Sequence, residues 1–307
     1  MKIWLGNSDG TFTAGGSYPT GAYSTSLAAG DFNSDGCPDL AVSNGGTNQG
    51  TSVGVFIGKC DGTFSTVVRV GPNGPADNVR VGDFNGDGHE DIAFLAGDRT
   101  VQVLPGNGDG SFGPAHASSF HYGVMGFETG DFNNDGITDV AANDGGLMTV
   151  GIGNGDGTFH MAGSGTILIN PLNINSIVMP VIAVGDFDGD GNLDMAASAD
   201  DQISVFLGDG AGNLQPGVPY ALAPIAGPAI AADVDGDGHA DLVVASFVTF
   251  QLGNGVIQVL RGNGDGTFQA PVSYALDAPF YLLYGGVLLL LPGWLIFRRR
   301  EIAEVTV

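Results

Sequence analysis

The residues best suited to chemistry in this 307-residue chain lie in an acidic nine-residue phrase that occurs five times. The copies read DFNSDGCPD, DFNGDGHED, DFNNDGITD, DFDGDGNLD and DVDGDGHAD, and they begin at Asp31, Asp83, Asp131, Asp186 and Asp233. Each copy places oxygen-bearing side chains at positions 1, 3, 5 and 9 around a glycine at position 6. Calcium prefers six to eight oxygen ligands of this kind. The phrase therefore predicts about five Ca²⁺ sites, one for each copy.

The expected ligands of each site are the residues at positions 1, 3, 5, 7 and 9. Position 7 holds unrelated residue types, as expected if it binds through its main-chain carbonyl oxygen. Asp188 and Asp235 occupy position 3 in the last two copies, where the others have Asn, so the extra carboxylate predicts tighter binding there. The predicted metal-site residues are Asp31, Asn33, Asp35, Cys37, Asp39, Asp83, Asn85, Asp87, His89, Asp91, Asp131, Asn133, Asp135, Ile137, Asp139, Asp186, Asp188, Asp190, Asn192, Asp194, Asp233, Asp235, Asp237, His239 and Asp241.

An EF-hand is excluded, because that motif needs a bidentate Glu at its twelfth position and a helix on each side. The twelfth positions here are Val42, Phe94, Ala142, Ala197 and Val244. What remains is a compact loop between two strands. Such loops act either as structural staples only or as staples that also take part in recognition.

The spacing of the copies indicates a repeat protein. They recur every 47 to 55 residues, and a Gly/Asp turn ending in an aromatic residue or Leu recurs in the same register. Short runs rich in β-branched residues separate the two phrases, giving four strands per repeat. Repeats near 50 residues with four strands are typical of antiparallel propeller blades. The 53 glycines supply the positive φ angles that so many turns require.

We therefore predict an all-β fold, a β-propeller over residues 1–277. Five full four-stranded blades are expected to start near residues 25, 78, 125, 180 and 228, after a half blade at 1–20. That half blade predicts that the chain is the C-terminal part of a longer propeller, or else a ring closed imperfectly by two strands.

The sequence resembles the FG-GAP/VCBS repeat family, which includes the integrin α-chain head. GDFNGDGHEDIAF and VLPGNGDGSF are similar to consensus copies of that repeat, and the resemblance covers about residues 1–275. It implies a calcium-stabilised propeller with the metal in the loop between the first two strands of each blade. It does not imply an enzyme.

The C-terminal segment differs in character from the repeats. Residues 278–297 carry no charge, and Arg298, Arg299 and Arg300 follow. Twenty apolar residues span about 30 Å as a helix, and a following Arg cluster favours the cytoplasm. We predict a transmembrane helix at 278–297, a cytoplasmic tail at 298–307, and an extracellular or periplasmic propeller. The segment also resembles bacterial sorting tails, so retention and cleavage of the helix both stay open.

The two cysteines, Cys37 in the first acidic loop and Cys60 in the turn of the same repeat, are expected at the same end of one blade. A disulfide and two free thiols are both compatible with that placement.

Net charge and sequence motifs exclude several classes of function. The net charge of −24 excludes nucleic acid as a partner. Ser8 lies in a G-x-S-x-G match that belongs to a repeated turn, and the five histidines lack zinc-site spacing. His121 and Tyr122 either line a binding face or belong to an ordinary surface loop.

We do not expect this protein to be an enzyme. We expect a membrane-anchored adhesion or ligand-binding module for an extracellular protein or glycan. The alternatives are an extracellular carbohydrate-active enzyme and a purely structural surface repeat.

Overall fold

The computed structural model describes residues 1–21, 24–45, 51–144, 147–162, 167–168, 182–199, 201–222, 226–247 and 255–275. Within these ranges every regular element is a β-strand and every strand pair is antiparallel, which confirms the predicted all-β class. No helix in the described part is long and apolar enough to cross a membrane. The expected span at 278–297 and the tail at 298–307 lie outside the described residues.

The strands form five sheets of four or five strands and one sheet of two strands. The two-stranded sheet, here the half blade, consists of β1 (Lys2–Gly6) and β2 (Phe12–Ser17). The five larger sheets are blades 1 to 5 in chain order. Each is a meander in which sequence neighbours pair, and the short β15 adds to β13 in blade 3.

The bounds of the blade strands follow the repeats. Blade 1 contains β3 (Leu27–Gly30), β4 (Asp39–Ser43), β5 (Thr51–Phe56) and β6 (Val68–Asn73). Blade 2 contains β7 (Ala76–Gly82), β8 (Asp91–Ala96), β9 (Val101–Leu104) and β10 (His116–Ser118). Blade 3 contains β11 (Val124–Gly130), β12 (Asp139–Asp144), β13 (Leu147–Gly153), β14 (Phe159–Met161) and β15 (Ile167–Leu168). Blade 4 contains β16 (Ile182–Gly185), β17 (Asp194–Ala199), β18 (Gln202–Phe206) and β19 (Val218–Ala221). Blade 5 contains β20 (Ala226–Ala232), β21 (Asp241–Phe247), β22 (Gly255–Leu260) and β23 (Val272–Ala275).

Successive blades pack face to face through their first strands, β3 against β7, β7 against β11, β11 against β16 and β16 against β20. Because side chains alternate across a strand, the middle strands of a blade contribute to two different cores. In β12, Ala141 packs in the core shared with blade 4, whereas Val140 and Ala142 pack in the core shared with blade 2. This explains why these strands are apolar on both faces. The result is a propeller-like series of blades.

An aromatic contact recurs at three of the four junctions between blades 1 to 5. At these junctions the Phe at position 2 of the acidic loop is buried and meets, edge to face, the Phe that ends the Gly/Asp turn of the next blade, whereas the turn of blade 4 ends in Leu214. Ring centroids lie 5.4 Å apart for Phe32 and Phe112, and 5.4 Å apart for Phe187 and Phe268. Edge-to-face pairs at this separation stabilise packing beyond the burial of their area. The two sequence phrases thus meet across a blade boundary, not only within a blade.

The half blade contacts blade 1 as the outer strand of blade 4 contacts blade 5. The Tyr18 hydroxyl accepts the Phe64 N–H at 3.0 Å, and the Tyr220 hydroxyl accepts the Phe268 N–H at 3.1 Å. Both tyrosines also pack edge to face on that same Phe. The half blade therefore occupies the place of the outer two strands of a blade that precedes blade 1.

Candidate metal centres

The five acidic loops, called metal loops 1 to 5 here, join the first and second strands of blades 1 to 5. Each is closed by the same bond, from the glycine N–H at position 6 to a carboxylate oxygen of the Asp at position 1. The N···O distance is 2.8 Å for Gly36 and Asp31, and 3.0 Å for Gly191 and Asp186. Gly36 has φ +81°, a left-handed conformation that other residues rarely adopt. This glycine lets the loop fold back on its own first carboxylate.

Positions 3, 5 and 7 are held by a second shared set of bonds. The main-chain N–H at position 5 donates to the side-chain oxygen at position 3, at 3.2 Å for Asp35 and Asn33 and 3.1 Å for Asp190 and Asp188. The position 7 N–H donates to the position 5 carboxylate, at 2.8 Å for Cys37. Loops with Asn and loops with Asp at position 3 therefore share one conformation.

The position 7 side chains lie against the Gly/Asp turn between the third and fourth strands of the same blade. A Cβ added to Gly108 would lie 2.4 Å from the His89 ring, and one added to Gly264 would lie 2.3 Å from the His239 ring. These side chains pack against the turn, which leaves the main-chain carbonyl as the group that position 7 can offer a metal.

In blade 1 the same two positions are covalently joined. Cys37 and Cys60 form a disulfide with their Cα atoms 5.0 Å apart, which decides between the alternatives that the sequence left open. Cys60 has φ +57°, whereas the corresponding positions in other blades are glycines such as Gly108, with φ +72°. The first metal loop is thus tied to its turn by a bond where the other blades have packing.

The aspartates at position 9 are buried structural residues as well as candidate ligands. Asp39, Asp91, Asp139, Asp194 and Asp241 are all fully buried. In each, one carboxylate oxygen accepts the N–H at position 2 and the other accepts a glycine N–H at the end of the third strand. For Asp139 these distances are 2.9 Å from Phe132 and 2.7 Å from Gly153. One carboxylate therefore fastens the metal loop to the blade.

Burial also changes the acidity of this position. Desolvation raises the pKa of Asp91, Asp139 and Asp194 to about 6, against the two hydrogen bonds that lower it. The neighbouring loop carboxylates contribute to the rise because like charges disfavour ionisation. Desolvation likewise raises the pKa of Asp39. A bound cation would relieve both effects, so the donor set fits a divalent metal.

The densest clusters of carboxylates are in metal loops 4 and 5. Asp186, Asp188 and Asp194 place one carboxylate oxygen each within 4.8 Å of one another. Asp233, Asp235 and Asp237 do the same in metal loop 5. In metal loops 1 to 3 an Asn oxygen stands at position 3, within the same loop conformation.

Two charged residues near the loops were missed in the sequence analysis. Arg261 Nη1 lies 3.4 Å from Asp235 Oδ2, so a protein cation reaches metal loop 5. Glu90, at position 8 of metal loop 2, accepts the main-chain N–H of Asp31 in metal loop 1. Glu90 is the one acidic residue at position 8 among the five copies, and this difference is the sequence feature that could have identified it. Its carboxylate is a further candidate ligand for metal loop 1.

The aspartates of the Gly/Asp turns have a different role. Asp156 accepts both the N–H of Thr158, at 2.9 Å, and its hydroxyl. The hydroxyl bond lowers the pKa of Asp156, so this carboxylate is satisfied within its turn. In blades 2 to 5 a glycine of the turn donates its N–H to the preceding blade's metal loop, as Gly110 does to the Phe32 carbonyl at 2.8 Å and Gly212 to the Phe132 carbonyl at 3.0 Å. Metal loops 1 to 4 are therefore hydrogen-bonded both to their own blade and to the turn of the next blade.

Comparison with known proteins agrees with this repeated geometry. The model of the FG-GAP-like repeat matches residues 1–42, 83–142, 131–197, 186–244 and 233–286. The chain belongs to the FG-GAP-like repeat family. The matched segments start or end at the metal loops, which confirms the resemblance that the acidic phrase indicated. No curated protein matches the sequence.

This FG-GAP-like chain is similar to several solved structures. An Agrocybe aegerita lectin, described for specific recognition of non-reducing terminal N-acetylglucosamine, is similar with a TM-score of 0.62 and 18% identity, over 89% of this chain and 73% of the lectin chain. The Photorhabdus luminescens Tc holotoxin pore matches with a TM-score of 0.45 and 17% identity, over 85% of this chain and 14% of that chain. BBS1N in its complex with ARL6DN matches with a TM-score of 0.48 and 11% identity, over 92% and 90% of the two chains.

Proposed function

We propose that this chain is a calcium-binding recognition module displayed outside the cell, which binds an extracellular protein or glycan. The observation that carries the calcium part is the cluster of Asp186, Asp188 and Asp194, with three carboxylate oxygens within 4.8 Å. Two unit charges at that separation repel by about 3.5 kcal/mol at an effective dielectric of 20. A bound Ca²⁺ would replace this repulsion with attraction and so stabilise the loop.

The loops are expected to differ in affinity. At positions 1, 3, 5 and 9 of the phrase, metal loops 4 and 5 have one more carboxylate than the others, which favours a hard cation. In metal loop 5, however, Arg261 already lies 3.4 Å from Asp235 and competes for its charge. We therefore propose that metal loop 4 binds calcium most tightly. Calcium there would strengthen the blade 4 and blade 5 junction, because Gly266 of blade 5 donates to the Phe187 carbonyl at 3.0 Å.

Recognition is supported by the architecture. The metal loops and Gly/Asp turns occupy one end of the blades, and the fully described connections between blades, such as residues 119–123, lie at the other end. A fold that presents many loops on a rigid scaffold suits binding. The similar fold of the lectin that recognises terminal N-acetylglucosamine makes a glycan a reasonable ligand class for this chain. Protein ligands are the other class, and we propose no catalytic role and no binding of nucleic acid.

The C-terminal segment supplies the proposed location. Residues 278–297 would anchor the chain as a transmembrane helix, with Arg298, Arg299 and Arg300 in the cytoplasm and the blades outside. The basis is the uncharged length of the segment and the arginines after it. Disulfide formation between Cys37 and Cys60 suits an oxidising exterior.

Calcium binding to the full chain in mild detergent tests the proposal. Isothermal titration calorimetry is expected to give about five sites, and calcium at 100 times the dissociation constant adds about 2.7 kcal/mol of stability per site. Asp188→Ala should remove the tightest site, Asp235→Ala a weaker one, and the turn variant Asp109→Ala none. A thermal midpoint that is the same in calcium and in chelator would refute the metal proposal. A screen of calcium-loaded protein against glycans and extracellular proteins tests recognition, and no binding in either set would refute it.

A further inference from the structure

One exposed loop stands out at the end of the blades opposite the metal loops. It is the connection between β10 and β11, residues 119–123, and it carries His121 and Tyr122. Tyr122 is 67% exposed, the highest value among the exposed large hydrophobic side chains of the described residues. Burial of such a ring would be favourable, so an aromatic ring that stays exposed at a fixed position does not stabilise the fold. Exposed aromatic residues on loops are typical of ligand contact.

A buried carboxylate fixes this loop. Asp144 is fully buried at the end of β12, and its two oxygens accept the N–H groups of His121 at 2.8 Å and Tyr122 at 2.7 Å. The His121 Nδ1 lies 3.7 Å from Asp144 Oδ2, while the imidazole is 62% exposed. Charge-assisted bonds of this kind are stronger than neutral ones. The ring of Tyr122, 6.3 Å from that of His121, is therefore presented on a preorganised backbone.

A cation from the neighbouring blade completes the arrangement. Arg99 lies in the turn between β8 and β9, and its carbonyl accepts the Val124 N–H at 3.0 Å. A Cβ added to Gly123 would lie 3.1 Å from Arg99 Cβ and 3.3 Å from Cδ, so the Arg99 side chain runs along the backbone next to Tyr122. Arg99 is exposed and, among the described residues, has no carboxylate within 4.0 Å, unlike Arg80 and Arg261. Its charge is available to a ligand.

The size of the cluster argues against a protein partner. A stable protein interface buries about 800 Å² on each side, whereas this cluster offers one aromatic ring and two polar groups. A single aromatic ring can instead stack on one pyranose ring of a sugar. The C–H groups on one face of a pyranose carry partial positive charge, and the face of an aromatic ring is negative. An imidazole can bond to hydroxyls, and a guanidinium matches a carboxylate with two parallel bonds.

We propose that Tyr122, His121 and Arg99 form a binding site for a terminal acidic pyranose, a sugar of the uronic acid class. The pyranose face would stack on Tyr122, its hydroxyls would bond to His121, and its carboxylate would pair with Arg99. This inference rests on the recognition function proposed above and names its ligand and its place. The metal-loop charges oppose it little, because Asp139 and Asp144 stand about 17 Å apart along β12 and physiological salt screens charges beyond about 8 Å.

The site is tested by titrating the calcium-loaded full chain with two oligosaccharides that differ only in a terminal glucuronic acid or glucose. The wild type is expected to bind the acidic probe at least tenfold more tightly than the neutral one. Tyr122→Ala should weaken both by tenfold or more. Arg99→Gln should reduce the acidic probe to the affinity of the neutral one. The matched control is Tyr274→Ala, since Tyr274 is 46% exposed on the outer strand β23.

Each result has a defined meaning, provided that the calcium-dependent thermal midpoint shows every variant to be folded. Equal affinity of wild type and Tyr122→Ala for the acidic probe overturns this site, while the recognition function stands on the binding that the wild type shows. No preference for the acidic probe overturns the role of Arg99. A wild type that binds neither probe refutes the inference, and the recognition function then depends on the separate protein and glycan screen.

Discussion

Removal of the disulfide in blade 1 is expected to destabilise that blade. The bond joins Cys37 in metal loop 1 to Cys60 in the adjacent turn, 23 residues apart. The other blades achieve the same contact by packing, as His89 does against Gly108. The double variant Cys37→Ala/Cys60→Ala removes the bond and keeps a residue with a Cβ at position 60. The variant Cys37→His/Cys60→Gly instead restores the pair that blade 2 uses.

The expected magnitudes follow from chain entropy and backbone conformation. A crosslink that closes a loop of this length restricts the unfolded chain by about 3.4 kcal/mol. The free energy of unfolding of the double alanine variant should fall by about 3.4 kcal/mol. Ala at position 60 keeps the left-handed φ of +57° and therefore the backbone strain of the wild type. Glycine at position 60 relieves about 1 kcal/mol of that strain. The His/Gly variant should therefore lose only about 2.4 kcal/mol.

Urea unfolding followed by circular dichroism measures the total loss in the free energy of unfolding, and hydrogen exchange shows which strands are destabilised. In a repeat protein the loss should stay in the changed unit and its neighbours. Amides of β4 and β5 should exchange faster, while those of β21 and β22 should not change. Oxidised wild type, wild type reduced with a dithiol, and both variants are compared in calcium and in chelator. Urea midpoints and β4 exchange rates that are the same in all four samples would refute the reasoning.

Three further predictions concern the metal loops and the turns that bond to them. Since the folded, metal-free protein raises the pKa of Asp91, Asp139 and Asp194 from 3.8 to about 6, their contribution to its stability is greatest below pH 3.8 and is lost as the pH rises through about 6. Calcium should then release protons at pH 6 but not at pH 8, and calorimetric heats at pH 6 that do not depend on the buffer would contradict this. Asp139→Asn should cost about 2 kcal/mol in urea unfolding even in chelator, because an amide turns one of two acceptors into a donor facing a buried N–H; a loss seen only in calcium would make the residue a ligand alone. Gly212→Ala, at φ +81° with Ile152 Cδ1 2.6 Å from the new Cβ, should lower the urea midpoint more than Gly191→Ala, at φ +88° in open space, and equal losses would exclude the steric contribution.

Much of the fold could be predicted from the acidic phrase and the turn phrase alone. Their alternation predicted four strands per repeat, and each of the five blades contains those four strands, with the short β15 added in blade 3. Local chemistry explains this success. A loop such as that at Asp31 closes on its own glycine, and a turn such as that at Asp156 closes on its own Thr, so neither needs a distant partner.

The site was only partly predictable, because its remaining features are contacts between distant residues. The double role of Asp139 depends on Gly153 of another strand, and the competition at Asp235 depends on Arg261. Neither partner lies within the nine-residue phrase. The carboxylate that Glu90 presents to metal loop 1 likewise arises only when blade 2 packs beside blade 1.

The sequence by itself therefore determined the repeat, the all-β class, the family and the positions of the acidic loops, since these follow from short-range patterns of glycine, aspartate and alternating apolar residues. Tertiary structure alone decided that Cys37 and Cys60 are joined, that the turn of one blade holds the metal loop of the preceding blade, and that Arg99 lies beside the loop of Tyr122. Each of these contacts joins residues from different strands or blades. The physical reason is that burial of both faces of every middle strand sets how one blade packs on the next, and that packing chooses which distant side chains meet.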